Sequence, residues 1–324
     1  MPSRSVARVE RPAETRIAVL VPCYNEETTI RKVVADFRKH LPRATIYVYD
    51  NNSKDRTAEV ARKAGALVRR EPRQGKGNVV RRMFADVDAD VYVMVDGDDT
   101  YEAAAAPKLV DELLRNELDM VTGARETAWK EYRRGHRFGN VLLTSMVTMV
   151  FGRMTEDMLS GYRVFSRRFV KTFPLLTTGF EIETELTVHA LDMRMPIGEI
   201  KTAYSDRPPG STSKLSTFRD GFRILGMIGV LIKEERPMQF FSLVSFLLFL
   251  VAIILAIPIV ITYRQTGLVP RFPTAILATG LVILSVLSFL CGLILDTVTH
   301  GRREAKRLKY LEYAPARMPG SAHR

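Results

Sequence analysis

Short apolar runs and longer stretches of helical spacing alternate along the first third of this chain. Arg16-Ile17-Ala18-Val19-Leu20-Val21, Ile46-Tyr47-Val48-Tyr49, Ala66–Arg69, Val91-Tyr92-Val93-Met94-Val95 and Asp119-Met120-Val121-Thr122-Gly123 read as strands, rich in β-branched and aromatic residues. Helical patterns follow from about Thr28, from Thr57, after Gly77 and near Ala105–Arg115. This β-α-β-α order predicts an α/β domain with a mainly parallel, Rossmann-like sheet covered by helices. No internal repeat is visible.

The pattern changes toward the C-terminus. No charged residue lies between Arg236 and Arg264, and a second uncharged stretch runs from Phe272 to Leu295. A helix of about 24 residues is ~36 Å long, enough to cross a hydrocarbon core of ~30 Å. Pro258 is tolerated inside such a span, and two helices of a soluble core would show polar faces. The expected organisation is a polar tail at 1–15, an α/β domain at 16–215, an amphipathic juxtamembrane helix at 216–236, membrane spans at 237–263 and 272–296, and a basic tail at 297–324. Within the first domain, the short apolar segment near 138–152 fits an interfacial helix or an ordinary core-facing one. The same two readings apply to 216–236.

Charge sets the orientation. Lys233 and Arg236 precede the first span, and Arg302, Arg303, Lys306, Arg307 and Lys309 follow the second, whereas the connecting loop carries only Arg264 and Arg271. The positive-inside tendency places both termini and the large domain in the cytoplasm of a multi-pass inner-membrane protein. The 324 residues carry a net charge of +12, which favours polyanionic partners. Because the strongest basic cluster follows a span, anionic lipid is a simpler partner than nucleic acid, and no nucleic acid is expected. Cys23 and Cys291 are unsuited to a disulfide, so a reducing compartment is favoured. The five histidines show no ligand spacing, which argues against zinc.

The chemistry gathers at strand ends. Asp96-Gly97-Asp98-Asp99 closes the Val91–Val95 run, and the carboxyl end of a strand is where open α/β sheets bind ligands. A solvated Asp/Gly turn is the bland reading. Two carboxylates one residue apart also suit Mg²⁺ or Mn²⁺, which take oxygen ligands and leave positions free for phosphates. Pro22-Cys23-Tyr24-Asn25-Glu26 and Asp50-Asn51-Asn52-Ser53 end two further strands on the same edge. There an aromatic ring and a carboxylate can stack on and bond a nucleoside. Gly75-Lys76-Gly77 lacks Walker A spacing but offers a cation before a helix N-terminus. Arg207-Pro208-Pro209-Gly210-Ser211-Thr212-Ser213-Lys214 reads as a linker or as a basic loop that closes over phosphates.

These motifs, in this order, together with Gly123-Ala124-Arg125, Arg134-Gly135-His136-Arg137-Phe138-Gly139-Asn140 and Ser160-Gly161-Tyr162-Arg163, resemble the family 2 glycosyltransferases of GT-A fold. The likeness is to their polyprenyl-phosphate branch, which includes dolichyl-phosphate mannose synthases and GtrB-type enzymes with two C-terminal spans. It implies Pro22, Tyr24, Glu26 and Asp50 around the nucleoside. Asp96, Gly97 and Asp98 would face the diphosphate, with Asp96 and Asp98 holding Mg²⁺ or Mn²⁺ and Lys76, Arg207 and Lys214 as further phosphate contacts. Arg125 and Arg137 look like the grip on the acceptor phosphate, with Arg163 from the Ser160–Arg163 motif beside them. Asp99 and Thr100 depart from the commoner pair of the family. Phe180-Glu181-Ile182-Glu183 is the expected wall of the sugar pocket.

The implied activity is inverting hexose transfer from a nucleotide sugar, UDP-linked before GDP-linked, to a polyprenyl phosphate. Self-association of the membrane helices into a homo-oligomer is also expected. A phosphate monoester is largely a dianion at neutral pH, so no strong base is required, and Asp157 is the remaining candidate for a base or a sugar-orienting carboxylate. A processive polysaccharide synthase would need a Q-x-x-R-W element and more spans, and the one tryptophan, Trp129, follows Glu126-Thr127-Ala128. A membrane-tethered, non-catalytic nucleotide-binding scaffold remains as the reading from another class.

Overall fold

The computed structural model describes residues 15–126, 157–174, 182–205 and 236–316, with single positions 226, 229, 233 and 318. The chain forms two compact units, one comprising Met1–Arg223 with Leu308–Arg324 and the other Ile224–Arg307.

The first unit is built on a seven-stranded sheet. In chain order its elements are β1 (Ile17–Cys23), α1 (Ile30–His40), β2 (Thr45–Asp50), α2 (Thr57–Lys63), β3 (Leu67–Arg70), α3 (Lys76–Asp86), β4 (Val91–Met94), α4 (Ala106–Arg115), β5 (Met120–Arg125), β6 (Arg163–Ser166), α5 (Arg167–Thr172), α6 (Ile182–Asp192) and β7 (Ile197–Thr202). The strand order is β3-β2-β1-β4-β6-β5-β7. Only β6 runs antiparallel, against both β4 and β5. The alternation seen in the sequence therefore gives the expected mainly parallel sheet, and β6 and β7 are the strands that periodicity did not reveal.

Side chains leave successive strand residues on opposite faces, and two cores result. Val19, Val21, Val91, Val93 and Val95 pack under α1, α2 and α4. Ala18, Leu20, Tyr92 and Met94 pack under α3, α5 and α6. Both faces of each central strand are therefore apolar, as a helix-covered parallel sheet requires.

The ladder lengths open a crevice. β1 pairs with β2 as far as Cys23↔Asp50, but with β4 only as far as Leu20↔Met94. A final backbone bond runs from Val95 N to Leu20 O, 3.1 Å. Pro22, which has no N–H to donate, lies beyond that point, where none is needed on the β4 side. Chain direction across the sheet also reverses at β1, since β2 and β3 extend one way and β4 the other. Ligands of open α/β sheets bind at such a switch point.

Segment Leu308–Met318 belongs to the same unit. The Tyr310 hydroxyl donates to Asp119 Oδ2 at 2.6 Å, and the Arg168 guanidinium lies 4.5 Å from the Tyr310 ring centroid.

The second unit holds the helix α7 (Pro237–Thr266) and α8 (Phe272–Leu311) as far as Arg307. Both are long and apolar enough to cross a membrane, with mean hydropathies of 3.2 and 2.5 over their most apolar windows. Only 6% and 17% of those windows are buried, unlike helices of a soluble core. The Ser245 and Ser285 hydroxyls meet at 3.1 Å, and Ser288 Oγ donates to Phe241 O at 3.3 Å. As one residue number rises the other falls, so the helices run antiparallel. The buried residues of α8 are Ala278, Ser285, Gly292 and Thr299, one per heptad, the period of a left-handed pair. A Cβ on Gly292 would stand 2.9 Å from Phe241 Cβ.

The region expected as a tail from 297 is helical to Leu311. Its Arg, Lys, Glu and Ala residues are strong helix formers, and Lys309 lies in the last turn, where a cation suits the helix dipole.

Candidate active site

Three strand-end loops meet at the crevice, and side chains stitch them together. After β1, Asn25 takes a left-handed conformation, φ 54°. Its side chain accepts from Lys54 N at 2.8 Å while its own N–H donates to Ser53 Oγ at 2.9 Å. Glu26 N donates to Thr57 Oγ1 at 2.8 Å, so the loop after β1 is tied to the start of α2. The Asn51 amide donates to the carbonyls of Glu71 and Arg73 (3.0 and 2.7 Å), and its oxygen accepts from Gly75 N at 2.7 Å. This buried side chain thereby fixes the turn that delivers Lys76. Thr29 Oγ1 donates to Gly97 O at 2.7 Å and joins the β1 loop to the loop after β4.

Glu26 and Asp50 are buried, and Pro22 and Tyr24 are half-buried, all at the ends of β1 and β2. Gly97 is buried as well, and a Cβ there would stand 2.6 Å from Cys23 Sγ. The two strand-end loops can approach because the residue between the aspartates has no side chain.

Asp98 is 3% exposed and its Oδ1 accepts from Thr100 Oγ1 at 2.7 Å and from Thr100 N at 3.3 Å. Asp96 is more open. Its Oδ1 lies 2.5 Å from Lys76 Nζ, and its Oδ2 is so near Gly161 that a Cβ there would come within 2.3 Å. Lys76 Nζ also lies 2.5 Å from Glu183 Oε1, on the first turn of α6. Burial works against the charge of Lys76, but Asp96 and Glu183 outweigh it and raise the pKa above the ordinary lysine value.

Among the described residues, no group of three or more His, Cys, Asp or Glu is placed to hold a metal. Two oxygen donors on one strand end, a flanking lysine and a half-open carboxylate fit a hard cation that draws its other ligands from a diphosphate and water. Asp99 takes no part in this group. It is left-handed, φ 59°, and Lys32 Nζ donates to its Oδ1 at 2.7 Å.

β5 points the same way as β4, so Arg125 at its end reaches the same edge of the sheet. Asp157 grips it with both oxygens, Nε to Oδ2 and Nη2 to Oδ1, each at 2.7 Å. The Arg125 N–H donates to the same carboxylate at 3.2 Å, and Asp157 N donates to Glu199 Oε1 at 3.0 Å. The guanidinium carbon lies 5.5 Å from the ring centroid of Tyr204. Tyr204 bridges Tyr101, five residues after Asp96, and Ser205 N donates to Thr100 O at 2.9 Å. The segment leading toward Arg207 thus starts beside the acidic loop.

Two expected site residues are engaged within the fold. Asp157 accepts from Arg125 with both oxygens. Arg163 is fully buried, donating to Ser160 O (3.0 Å), Met158 O (2.5 Å) and Thr187 Oγ1 (2.8 Å). Burial lowers its pKa from the ordinary arginine value. Its bond to Ser160 O braces the Ser160-Gly161 turn, which lies against Asp96. Arg137, Arg207, Lys214, Trp129, Glu181 and the segment 138–152 lie outside the described residues. Of the residues given no role from the sequence, Asn51 and Gly161 stood inside quoted motifs, while Thr29 carried no signal.

The glycosyl transferase family 2 profile matches residues 18–173, the span that contains the loops after β1, β2 and β4 together with Arg125 and Asp157. Glycosyltransferase AglJ of Haloferax volcanii is 35% identical over 238 residues, 72% of this chain and 78% of that protein. The chain belongs to glycosyl transferase family 2. It is a glycosyltransferase of GT-A fold. The dolichyl-phosphate hexose transferase of the same organism is 31% identical over 221 residues, covering 68% of this chain and 95% of that one. Glucosyl-3-phosphoglycerate synthase of Mycobacterium tuberculosis shares the fold, with a TM-score of 0.55 at 23% identity over 67% of this chain and 81% of that one. The same enzyme in complex with Mn²⁺, UDP-glucose and phosphoglyceric acid aligns at 25% identity and TM-score 0.51, covering 61% and 74% of the two chains. As a family 2 member, this chain carries its acidic pair and Arg125 on one edge of the sheet.

Proposed function

We propose that this glycosyltransferase moves a hexose from a nucleotide sugar to a polyprenyl phosphate, with inversion at the anomeric carbon. The observation that carries the reading is a carboxylate pair and a locked guanidinium on one sheet edge. The first suits a metal-bound diphosphate, and the second suits a phosphate monoester. A UDP-linked donor is favoured, because the solved relative binds UDP-glucose with Mn²⁺. A lipid phosphate acceptor is favoured by the similarity to a dolichyl-phosphate hexose transferase and by the two apolar helices.

Pro22, Tyr24, Glu26 and Asp50 receive the nucleoside. Asp96 and Asp98 hold Mg²⁺ or Mn²⁺, which when bound neutralises the diphosphate as it leaves. Lys76, with Arg207 and Lys214, contacts the donor phosphates. Arg125, with Arg137, takes the acceptor phosphate. The acceptor is already largely dianionic at neutral pH, so one of its oxygens attacks the anomeric carbon directly. A carbon–oxygen bond forms as the bond to the diphosphate breaks, and the nucleoside diphosphate departs with the electron pair. The principal obstacle is repulsion between two anions, and fixed cations aligned beforehand lower it.

The helices α7 and α8 anchor the protein in a cell membrane. Lys233, Arg236 and the cluster from Arg302 to Lys309 face the cytoplasm, against Arg264 and Arg271 outside. The test is transfer of radiolabelled sugar from a panel of UDP- and GDP-sugars to a polyprenyl phosphate in detergent. Wild type yields labelled lipid with one donor, and both EDTA and Asp98→Asn abolish it. Background from wild type with every donor, or full turnover after chelation, refutes the reading.

A further inference from the structure

Lys76 joins three elements: it opens α3, and its ammonium lies 2.5 Å both from Asp96 of the loop after β4 and from Glu183 of α6. The lysine and glutamate side chains are 10% and 7% exposed, and that of Asp96 is 28% exposed. Arg163 donates to Thr187 Oγ1, which in turn donates to Glu183 O at 3.1 Å, so the turn of α6 bearing Glu183 is itself braced. The other oxygen of Asp96 rests against Gly161. A divalent cation held by Asp96 would use the same carboxylate that Lys76 already uses. Two cations on one small carboxylate repel strongly at such distances.

We propose that Glu183 is a positioning residue for the transfer reaction, holding Lys76 so that the lysine can give up Asp96 to a metal and turn to the donor diphosphate. Lys76 is therefore a built-in competitor for the metal site, and Glu183 sets how strongly it competes. With Glu183 present, the ammonium keeps a carboxylate partner when Asp96 is taken. Without it, Asp96 becomes the only carboxylate paired with Lys76, and the metal must displace a buried cation that has no second partner. This inference rests on the assignment of Asp96 and Asp98 to a metal, made under the proposed function.

The test is direct binding of Mn²⁺ alone, followed by the electron paramagnetic resonance signal of the free ion, on the full-length protein in detergent. Glu183→Gln should raise the Mn²⁺ dissociation constant, by about tenfold if one charge-assisted hydrogen bond decides the competition. The double variant Lys76→Met with Glu183→Gln should lower it below wild type. The double variant removes one positive and one negative charge, so net charge is unchanged, and it leaves no unpaired buried ion that would prevent folding. A general field effect predicts no shift for it, whereas release of Asp96 from the ammonium predicts tighter binding. An unchanged or weaker constant for the double variant, when wild type binds Mn²⁺, overturns this inference alone. The same holds if Glu183→Gln binds as wild type does. If neither wild type nor any variant binds Mn²⁺, the metal assignment falls and this inference falls with it. A donor KM that rises in the double variant despite tighter Mn²⁺ binding is the expected catalytic counterpart, because the diphosphate has lost its lysine. A donor KM unchanged from wild type overturns the role given to Lys76.

Discussion

Replacing Asp157 by Asn tests whether Arg125 is held for an acceptor or merely stabilises the fold. Both side chains are 10% exposed, and two bonds of 2.7 Å join them. Charge-assisted hydrogen bonds contribute about 1.5–3 kcal/mol each. Asparagine keeps one neutral acceptor and turns an N–H₂ toward the guanidinium, so about 2–3 kcal/mol of orientation is lost. At about 1.4 kcal/mol per decade, this is a fall of about 30- to 150-fold in kcat/KM if all of it is felt in the transition state. Initial rates are measured with the lipid phosphate and the nucleotide sugar varied separately. The loss should fall on kcat/KM for the acceptor, with the donor KM within about twofold, since among the described residues Asp157 touches none on the donor side. A merely structural pair would lower the melting temperature without favouring one substrate. The second discriminator is a double-mutant cycle. If Asp157 acts only through Arg125, Asp157→Asn adds little on top of Arg125→Ala. Equal losses for both substrates, or additive losses in the cycle, refute the reasoning.

Two further changes probe other parts of the unit. Gly161→Ala puts a Cβ 2.3 Å from Asp96 Oδ2 and so pushes that carboxylate off its place. Activity should fall while the melting temperature stays within a few degrees, and recovery at high Mn²⁺ would locate the defect at the metal ligand; a fully active variant would show that the position of Asp96 does not matter. Asp86 is partly desolvated, but hydrogen bonds and charges from Arg82 and Arg69 hold its pKa below the ordinary carboxylate value. A depressed folded pKa stabilises above the unfolded value, ~3.9 for Asp, and this stabilisation is lost as pH falls through the folded value. Asp86→Asn should therefore be less stable than wild type at pH 7, by under about 1 kcal/mol given the exposed arginines. The gap in thermal midpoint should narrow below about pH 4, and a gap that is constant with pH would contradict the assignment.

The parts of this molecule that were legible in the sequence are those whose physics is local. A strand buried on both faces must be apolar at every position, and Val91–Val95 says so without any neighbour. A helix long and apolar enough to cross a membrane must exclude charge over its whole span, and 237–263 does. A carboxylate pair after a buried strand can be placed at the ligand-binding edge from direction alone. β6 left no comparable trace, because Arg163-Val164-Phe165-Ser166 is only four residues long and carries an arginine. That arginine is neutral to the pattern but decisive in space, since its partners are Ser160, Met158 and Thr187. In a sequence, a basic side chain in a motif looks the same whether it faces a phosphate or a backbone carbonyl.

The same limit explains Asp157 and Glu183. Each is one acidic residue among many in the sequence, with no spacing that ties it to Arg125 or Lys76, which lie 32 and 107 positions away. Only the sheet closes those distances. Placing β6 antiparallel between β4 and β5 lays the Ser160-Gly161 turn against Asp96 and brings Asp157 under Arg125, so one reversed strand serves both halves of the site. On this view the donor and acceptor sides are mechanically linked through residues 157–163, with Asp157 at one end and Gly161 near the other. Change at either end should then be felt mainly by its own substrate, since the intervening Arg163 brace, buried and hydrogen-bonded, resists transmitting small shifts. If the site holds two anions close together, as proposed, it needs such independence, because a cation that yields to one anion must not drag away the cation that faces the other.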